Sequence, residues 1–290
     1  MKSLTVLSLF DGMSCAQIAL NRSNIPIDTY FSSEIDKYAI AVTQHNYPET
    51  IQLGDITKWK TWNLPEIDLL IGGSPCQGFS FAGKGLNFDD PRSKLFFVFI
   101  DILKHYNPKY FLLENVRMKK EYEKVITEYV GVEPIMIDSA LVSAQSRKRL
   151  YWTNIPDVKQ PEDKKIYWND IRETDAADTF YYSEKGLDWI NRHSKRTGKK
   201  LRVWGDKEKC QMIEACHFKN YSSQRFFGIN DTNGLRYITP LECERAQTVP
   251  DNFTLTPWKS RMMSNTQRYK MLGNGMTVDV IAHILSKILI

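Results

Sequence analysis

The run Ile67-Asp-Leu-Leu-Ile-Gly-Gly-Ser-Pro-Cys-Gln-Gly-Phe-Ser80 decides how this chain is read. An apolar segment ends in two glycines, and a thiol, Cys76, sits on the turn just beyond them. A second segment of the same design, Tyr110-Phe-Leu-Leu-Glu-Asn-Val116, closes on the polar pair Glu114-Asn115. Short apolar runs bounded by turn residues read as buried strands. Open parallel sheets gather their reactive groups at the carboxyl ends of such strands. A thiol and a carboxylate are therefore expected to face one cleft, which suits a nucleophile and the acid that activates its target.

Outward from this run the first 150 residues keep a strand–helix rhythm. Strand signals recur at 5–10, 29–33, 50–53, 68–71, 110–113 and 134–137, and helical stretches fall at 14–20, 36–42 and 94–103. That alternation predicts an α/β fold with a doubly wound, mostly parallel sheet. From about Thr153 the texture turns polar and turn-rich, with Trp168, Trp189 and Trp204 scattered among charges. Arg192, Lys195, Arg196, Lys199, Lys200 and Arg202 follow one another there with no acid between them. The predicted organisation is one domain from residues 1–152 plus 236–290, and a small irregular lobe at 153–235. Val278, Ile281, Leu285 and Ile288 line one face of a final helix, expected to pack back on the first domain.

Bulk composition narrows the class. The chain has 290 residues, 42% hydrophobic and 25% charged, as in ordinary globular proteins. No apolar stretch suggests a membrane span, and no leader pattern precedes the first strand. Five cysteines without C-x-x-C spacing indicate neither a disulfide framework nor a zinc site, so a reducing cytoplasm is expected. The net charge of +5 is compatible with a polyanionic partner.

Three strand ends suggest a nucleoside-type pocket. Phe10-Asp-Gly-Met-Ser14 is a strand-to-helix turn where glycine allows close backbone approach and a helix start offers free N–H groups. Glu34 ends the second strand, where a carboxylate accepts from ribose hydroxyls, and Asp55 ends the third within Leu53-Gly-Asp-Ile56. Each feature has a plain alternative. A glycine turn with solvated acids needs no ligand, a lone cysteine is often a buried hydrophobe, and Gln145-Ser-Arg-Lys-Arg149 alone reads as a solvated basic face. Arg147 and Arg149 are candidates to lower the pKa of Cys76 if the fold brings them near it.

Taken in order, these pieces resemble the DNA (cytosine-5)-methyltransferases, and the resemblance covers nearly everything outside residues 153–235. Phe10-Asp11-Gly12 is similar to the family's turn for S-adenosyl-L-methionine, and Pro75-Cys76-Gln77 to its catalytic loop. Glu114-Asn115-Val116 and Gln145-x-Arg147-x-Arg149 fit the next two motifs. Arg236, Glu242, Arg245, Gln247, Pro250 and Phe253 fit the long motif after the recognition region, and Gly273-Asn274 fits the last. The turn departs from many members in carrying Ser14 and Cys15 rather than more glycine, a feature similar to the eukaryotic de novo branch, as is Leu95-Phe-Phe97. The compact recognition region is similar to that of phage or prophage members.

The resemblance implies an S-adenosyl-L-methionine-dependent methyltransferase fold and no metal. It implies a cofactor set of Phe10, Asp11, Gly12, Met13, Ser14, Glu34, Ile35, Asp55, Ile56, Asn274, Gly275 and Met276. Cys76 would attack C6 of a cytosine turned out of double-stranded DNA, Glu114 would hold its N3 and exocyclic amine, and Arg147 and Arg149 would support the nucleotide. Residues 78–91 would cover the site, and the second lobe, with Tyr221, Ser222, Gln224 and Arg225, would read bases. No obligate protein partner is evident; a cognate restriction endonuclease is the partner expected within a restriction–modification system, in a prokaryotic or phage-infected cytoplasm. Three rivals stand beside this reading. One is the family's tRNA-methylating branch, whose Cys-Phe-Thr signature is replaced here by Cys216-His217-Phe218. The others are a catalytically dead DNA-binding homologue and a nicotinamide-dependent dehydrogenase.

Overall fold

The computed structural model describes residues 3–74, 91–198, 201–222, 227–231 and 233–288, with backbone alone at 91–93, 220–222 and 227. Pro75, Cys76, Gln77 and the expected cover 78–90 lie outside the described residues, as do Lys199, Lys200, Gln224 and Arg225. The chain packs as two compact units. The first holds Met1–Asp138, Lys148–Pro161 and Val278–Ile290; the second holds Ser139–Arg147 and Glu162–Thr277. By packing, then, residues 236–277 cluster with the second unit, although the sequence reading groups them with the first.

The first unit is built on β1 (Leu4–Leu9), β2 (Ile27–Ser33), β3 (Ile51–Gln52), β4 (Leu69–Gly72), β5 (Tyr110–Val116) and β6 (Ile135–Asp138). The short β7 (Gln145–Ser146) falls in the second unit, and β8 (Lys148–Thr153) returns to the first. Among the described residues the sheet has the order β3-β2-β1-β4-β5-β8-β6. Strands β1 to β5 pair in parallel, while β8 lies antiparallel between β5 and β6. The mostly parallel doubly wound sheet read from the sequence is thus present. Its order reverses between β1 and β4, the position where such sheets open a crevice beyond their carboxyl ends.

Helices α1 (Cys15–Arg22), α2 (Lys37–Asn46), α3 (Pro91–Tyr106) and α4 (Lys120–Val130) connect these strands. Phe96, Phe99 and Ile102 of α3 pack with Leu7, Leu9, Leu70, Leu113 and Trp152 of the sheet in one buried core. Burying each such side chain stabilises the fold by about 1.5–3 kcal/mol. Gly72 permits the closest of these contacts: a Cβ there would lie 2.9 Å from the Phe99 ring and 3.1 Å from the Leu9 carbonyl oxygen.

The second unit contains α5 (Trp168–Ile171), α6 (Glu184–Thr197), α7 (Pro240–Ala246) and α8 (Asn265–Asn274). It also holds β9 (Arg202–Val203), β10 (Cys210–Gln211), β11 (Phe227–Asp231) and β12 (Gly234–Arg236). The stretch read as irregular therefore carries a long helix. Ser183 caps α6 by accepting from the Gly186 N–H, and Gly198 ends it in the left-handed conformation at φ 69°. Its polar composition hides the helix because it buries only Gly186 and Ile190. The chain ends in α9 (Val278–Leu285), which buries Val278, Ile281 and Leu285. In the first unit α9 packs on α1, where Ser23 Oγ donates to the Ala282 carbonyl and Arg22 pairs with Asp279.

Candidate active site

Beyond β1 the backbone takes three left-handed residues, Phe10, Gly12 and Ser14, at φ 56°, 60° and 62°. Such angles strain non-glycine residues unless the surroundings impose them. Asp11 is the constraint. Its Oδ1 accepts from Ser8 Oγ at 2.5 Å and Tyr30 Oη at 2.7 Å; its Oδ2 accepts from Ser14 Oγ at 2.5 Å and Ser32 Oγ at 2.9 Å. These partners fill the acceptor capacity of a carboxylate. Asp11 is buried, and burial raises its pKa against the lowering effect of the four hydroxyls. Met13 and Ser14 are buried as well. Of the five residues expected at this turn, Phe10 and Gly12 are partly exposed, and the other three form its support.

Glu34 ends β2 beside that turn. Its Oε2 accepts from the Gly12 N–H at 2.8 Å, and its Oε1 accepts from the N–H groups of Ile35 and Asp36 at 2.7 and 2.8 Å. Ile35 is 75% exposed, an apolar plate standing next to the carboxylate. Asp55 follows β3, and its Oδ1 accepts from the Thr57 N–H at 2.9 Å. The N–H and hydroxyl of Thr57 hold the Asp55 pKa below the usual carboxylate value. Ile56 is buried beneath. Acidic acceptors, an open backbone turn and an exposed apolar plate are the partners that suit a nucleoside.

The second cluster sits at the end of β5. Antiparallel pairing sets Val116 opposite Arg149 and Glu114 opposite Tyr151. Arg149 Nε lies 2.9 Å from Glu114 Oε1, with the side chains only 10% and 13% exposed. Gly73 comes so close that a Cβ there would be 3.1 Å from Glu114 Oε2. Asn115 Nδ2 donates to Ser74 Oγ at 3.1 Å, so the chain leaving β4 is tied to the strand that carries Glu114. Cys76 itself lies outside the described residues.

The two arginines of Gln145-x-Arg147-x-Arg149 do different things. Arg149 meets Glu114 in the first unit. Arg147, in the second, is buried and donates to the carbonyls of Ile213, Gly273 and Gly275 at 3.0, 3.1 and 3.0 Å. Gln247 adds bonds to the Leu272 and Gly275 carbonyls and accepts from Thr277 Oγ1 at 2.8 Å. Asn274 is therefore exposed on a braced backbone, with Met276 buried beside it. A Cβ on Gly273 would lie 2.0 Å from the Ala215 nitrogen, so that position admits only glycine without rearrangement.

Sequence reasoning missed Ser8, Tyr30 and Ser32, and it placed Gln247 in the long motif without the bracing bonds it makes here. The available signal was hydroxyls inside otherwise apolar strands, since a buried polar group needs a partner. Register supplies it: Ser8 faces Ser32 across the β1–β2 pair, and Val6 faces Tyr30. Among the described cysteines, burial raises the thiol pKa of Cys210, Cys216 and Cys243, which disfavours a nucleophilic thiolate at each. Among the described residues no group of three or more His, Cys, Asp or Glu is arranged to hold a metal ion.

Comparison with known proteins agrees on one family. The model of the C-5 cytosine-specific DNA methylases matches residues 4–289. The chain is 32% identical to the type II methyltransferase M1.ScrFI of Lactococcus lactis subsp. cremoris, over 98% of this chain and 77% of that protein. It is 34% identical to the orphan methyltransferase M.Rho11sI of Bacillus phage rho11s, over 70% of this chain and 40% of that protein. Among solved structures, the Entamoeba histolytica methyltransferase EhMeth superposes with a TM-score of 0.79 at 20% identity, covering 99% of this chain and 98% of that one; at that identity the likeness is one of fold.

Proposed function

Because this chain belongs to the C-5 cytosine-specific DNA methylase family, we propose that it transfers a methyl group from S-adenosyl-L-methionine to C5 of a cytosine flipped out of double-stranded DNA. The observation that carries this reading is the largely buried Glu114–Arg149 pair at 2.9 Å, at the carboxyl end of the strand next to the one that leads to Cys76. Cytosine C5 is a weak nucleophile within its aromatic ring. Attack of the Cys76 thiolate on C6 breaks that aromaticity and gives C5 enamine character. N3 takes a proton from solvent water, and Glu114 grips the opposite edge by accepting from that N3–H and from the exocyclic amine. Arg149, through its Nε, fixes the rotamer of Glu114 and keeps its charge in place.

When bound, S-adenosyl-L-methionine supplies an electrophilic methyl on a sulfonium. Glu34 would take its ribose hydroxyls, Ile35 one face of its adenine, and Asp55 the adenine edge; Phe10 and Gly12 would line the turn. Asp11, Met13, Ser14 and Ile56 would hold these groups from below, as Arg147 braces the Asn274-Gly275-Met276 segment. Once C5 is methylated, its proton passes to a solvent base, the C–H electron pair re-forms the C5–C6 double bond, and the Cys76 sulfur leaves as a thiolate. Cys216-His217-Phe218 in place of Cys-Phe-Thr favours DNA over tRNA as the substrate. Incubation with methyl-labelled S-adenosyl-L-methionine and either duplex DNA or tRNA tests the proposal. Label at C5 of cytosine in DNA is expected, and label in tRNA alone overturns it.

A further inference from the structure

Trp189, Arg192, His193 and Arg196 of α6 recur at helical spacing and share one face. The Trp189 and His193 rings stack at 4.7 Å between centroids and 11° between planes. Trp189 also packs against the Tyr182–Ile190 cluster, which anchors the stack to the body of the unit. Together the four side chains line a groove of about 260 Å³. Arg192 and Arg196 are exposed, and Lys195 stands beside them. Arg192 reaches the Asp188 carbonyl at 3.4 Å, and Arg196 reaches His193 Nδ1 at 3.4 Å. Among the described residues none of these three cations has a carboxylate partner.

Surface cations are ordinarily mixed with acids, because unpaired like charges repel. Here two guanidiniums flank the aromatic stack instead, four residues and so about 6 Å apart along the axis. Guanidinium forks match phosphate oxygens in geometry. A duplex offers one such charge per about 1.7 Å of its axis. We propose that this face of α6 seats the backbone of duplex DNA, with two phosphates on Arg192 and Arg196 beside the Trp189–His193 stack. The proposal rests on the DNA reading above and deepens it. Contacts of this type fix affinity and register without reading bases. Base selection then belongs to other residues of the second unit.

The test is fluorescence anisotropy with a labelled duplex of mixed sequence, titrated at KCl concentrations from 50 to 200 mM. Replacing Arg192→Gln and Arg196→Gln together should make log K against log salt shallower by about 1.8, the loss of two phosphate contacts. Trp189→Phe should keep the wild-type slope, and far-UV circular dichroism checks that each variant folds. An unchanged slope in the double variant overturns the proposal. So does an equal change in a Lys120→Gln, Lys124→Gln control, or a loss confined to tRNA binding. Methyl incorporation by the wild-type chain, measured in parallel, separates the two claims. Labelled duplex with an unchanged slope sinks only the α6 surface, whereas no label in any duplex sinks the DNA reading.

Discussion

Asp11 and Glu114 are both carboxylates at strand ends, and their neighbours give them opposite tasks. Four hydroxyls consume Asp11, whereas Glu114 keeps an oxygen beside Gly73 and offers one to Arg149. Removing the Glu114 charge in Glu114→Gln should lower the rate of methyl transfer by about 10²–10⁴-fold, while calorimetry shows cofactor affinity preserved. Arg149→Lys keeps the charge but loses the planar fork, and a similar drop in rate without a change in cofactor affinity is expected. For Asp11 the consequence is pH-dependent stability. Its folded pKa is raised, so the folded chain holds that proton more tightly than the unfolded chain. Relative to Asp11→Asn, wild-type stability in urea should therefore rise as pH falls from above the raised value toward the ordinary carboxylate value of about 3.9. A difference that is flat or falls with acidification contradicts this. The strand-end positions of Glu34 and Glu114 were legible in the sequence, because each follows a strand signal; Cys76 lies outside the described residues. The role of Asp11 was not, since its hydroxyl partners on β2 become neighbours only when the sheet pairs.

At the scale of elements, β12 and α7 are locked by one buried arginine. Arg236 donates to both oxygens of Glu242 at 2.7 and 3.0 Å and to Asp231 Oδ2 at 2.6 Å. Burial alone would lower its pKa; the bonds to Glu242 and Asp231 raise it instead. Glu242 also closes the capping box of α7 with Thr239. Removing the cation in Arg236→Leu leaves two carboxylates buried without it, and the unfolding free energy in urea should fall by about 3–5 kcal/mol. Gly273→Ala drives a methyl into the Ala215 backbone, and a loss of about 1–3 kcal/mol is expected by the same measurement. Two elements escaped the sequence reading for physical reasons. β8 opens on Lys148-Arg149, so it looks like a basic surface, yet Leu150, Tyr151 and Trp152 are buried because the strand lies between two others. α6 is rich in charged residues and buries only Gly186 and Ile190, so its narrow apolar stripe is easily lost among the charges around it.

Across the whole molecule, strand–helix alternation sufficed to give the parallel sheet, because βα units place every carboxyl end on one edge. The compact units did not follow the sequence boundaries. Residues 236–277 include the regular helices α7 and α8, and regularity says nothing about which core an element joins. No helix among the described residues is long and apolar enough to cross a membrane. The central claim, that a thiol adds to cytosine while Glu114 grips the far edge, concerns a covalent bond that can be trapped. A pool of random-sequence duplexes carrying 5-fluorocytosine blocks loss of the C5 substituent, so the enzyme should stall on its substrate. Denaturing gels should show an S-adenosyl-L-methionine-dependent protein–DNA adduct with the wild-type chain, slower to form in Glu114→Gln and missing in Cys76→Ser. No adduct from the wild-type chain, or an undiminished adduct in Cys76→Ser, contradicts the account.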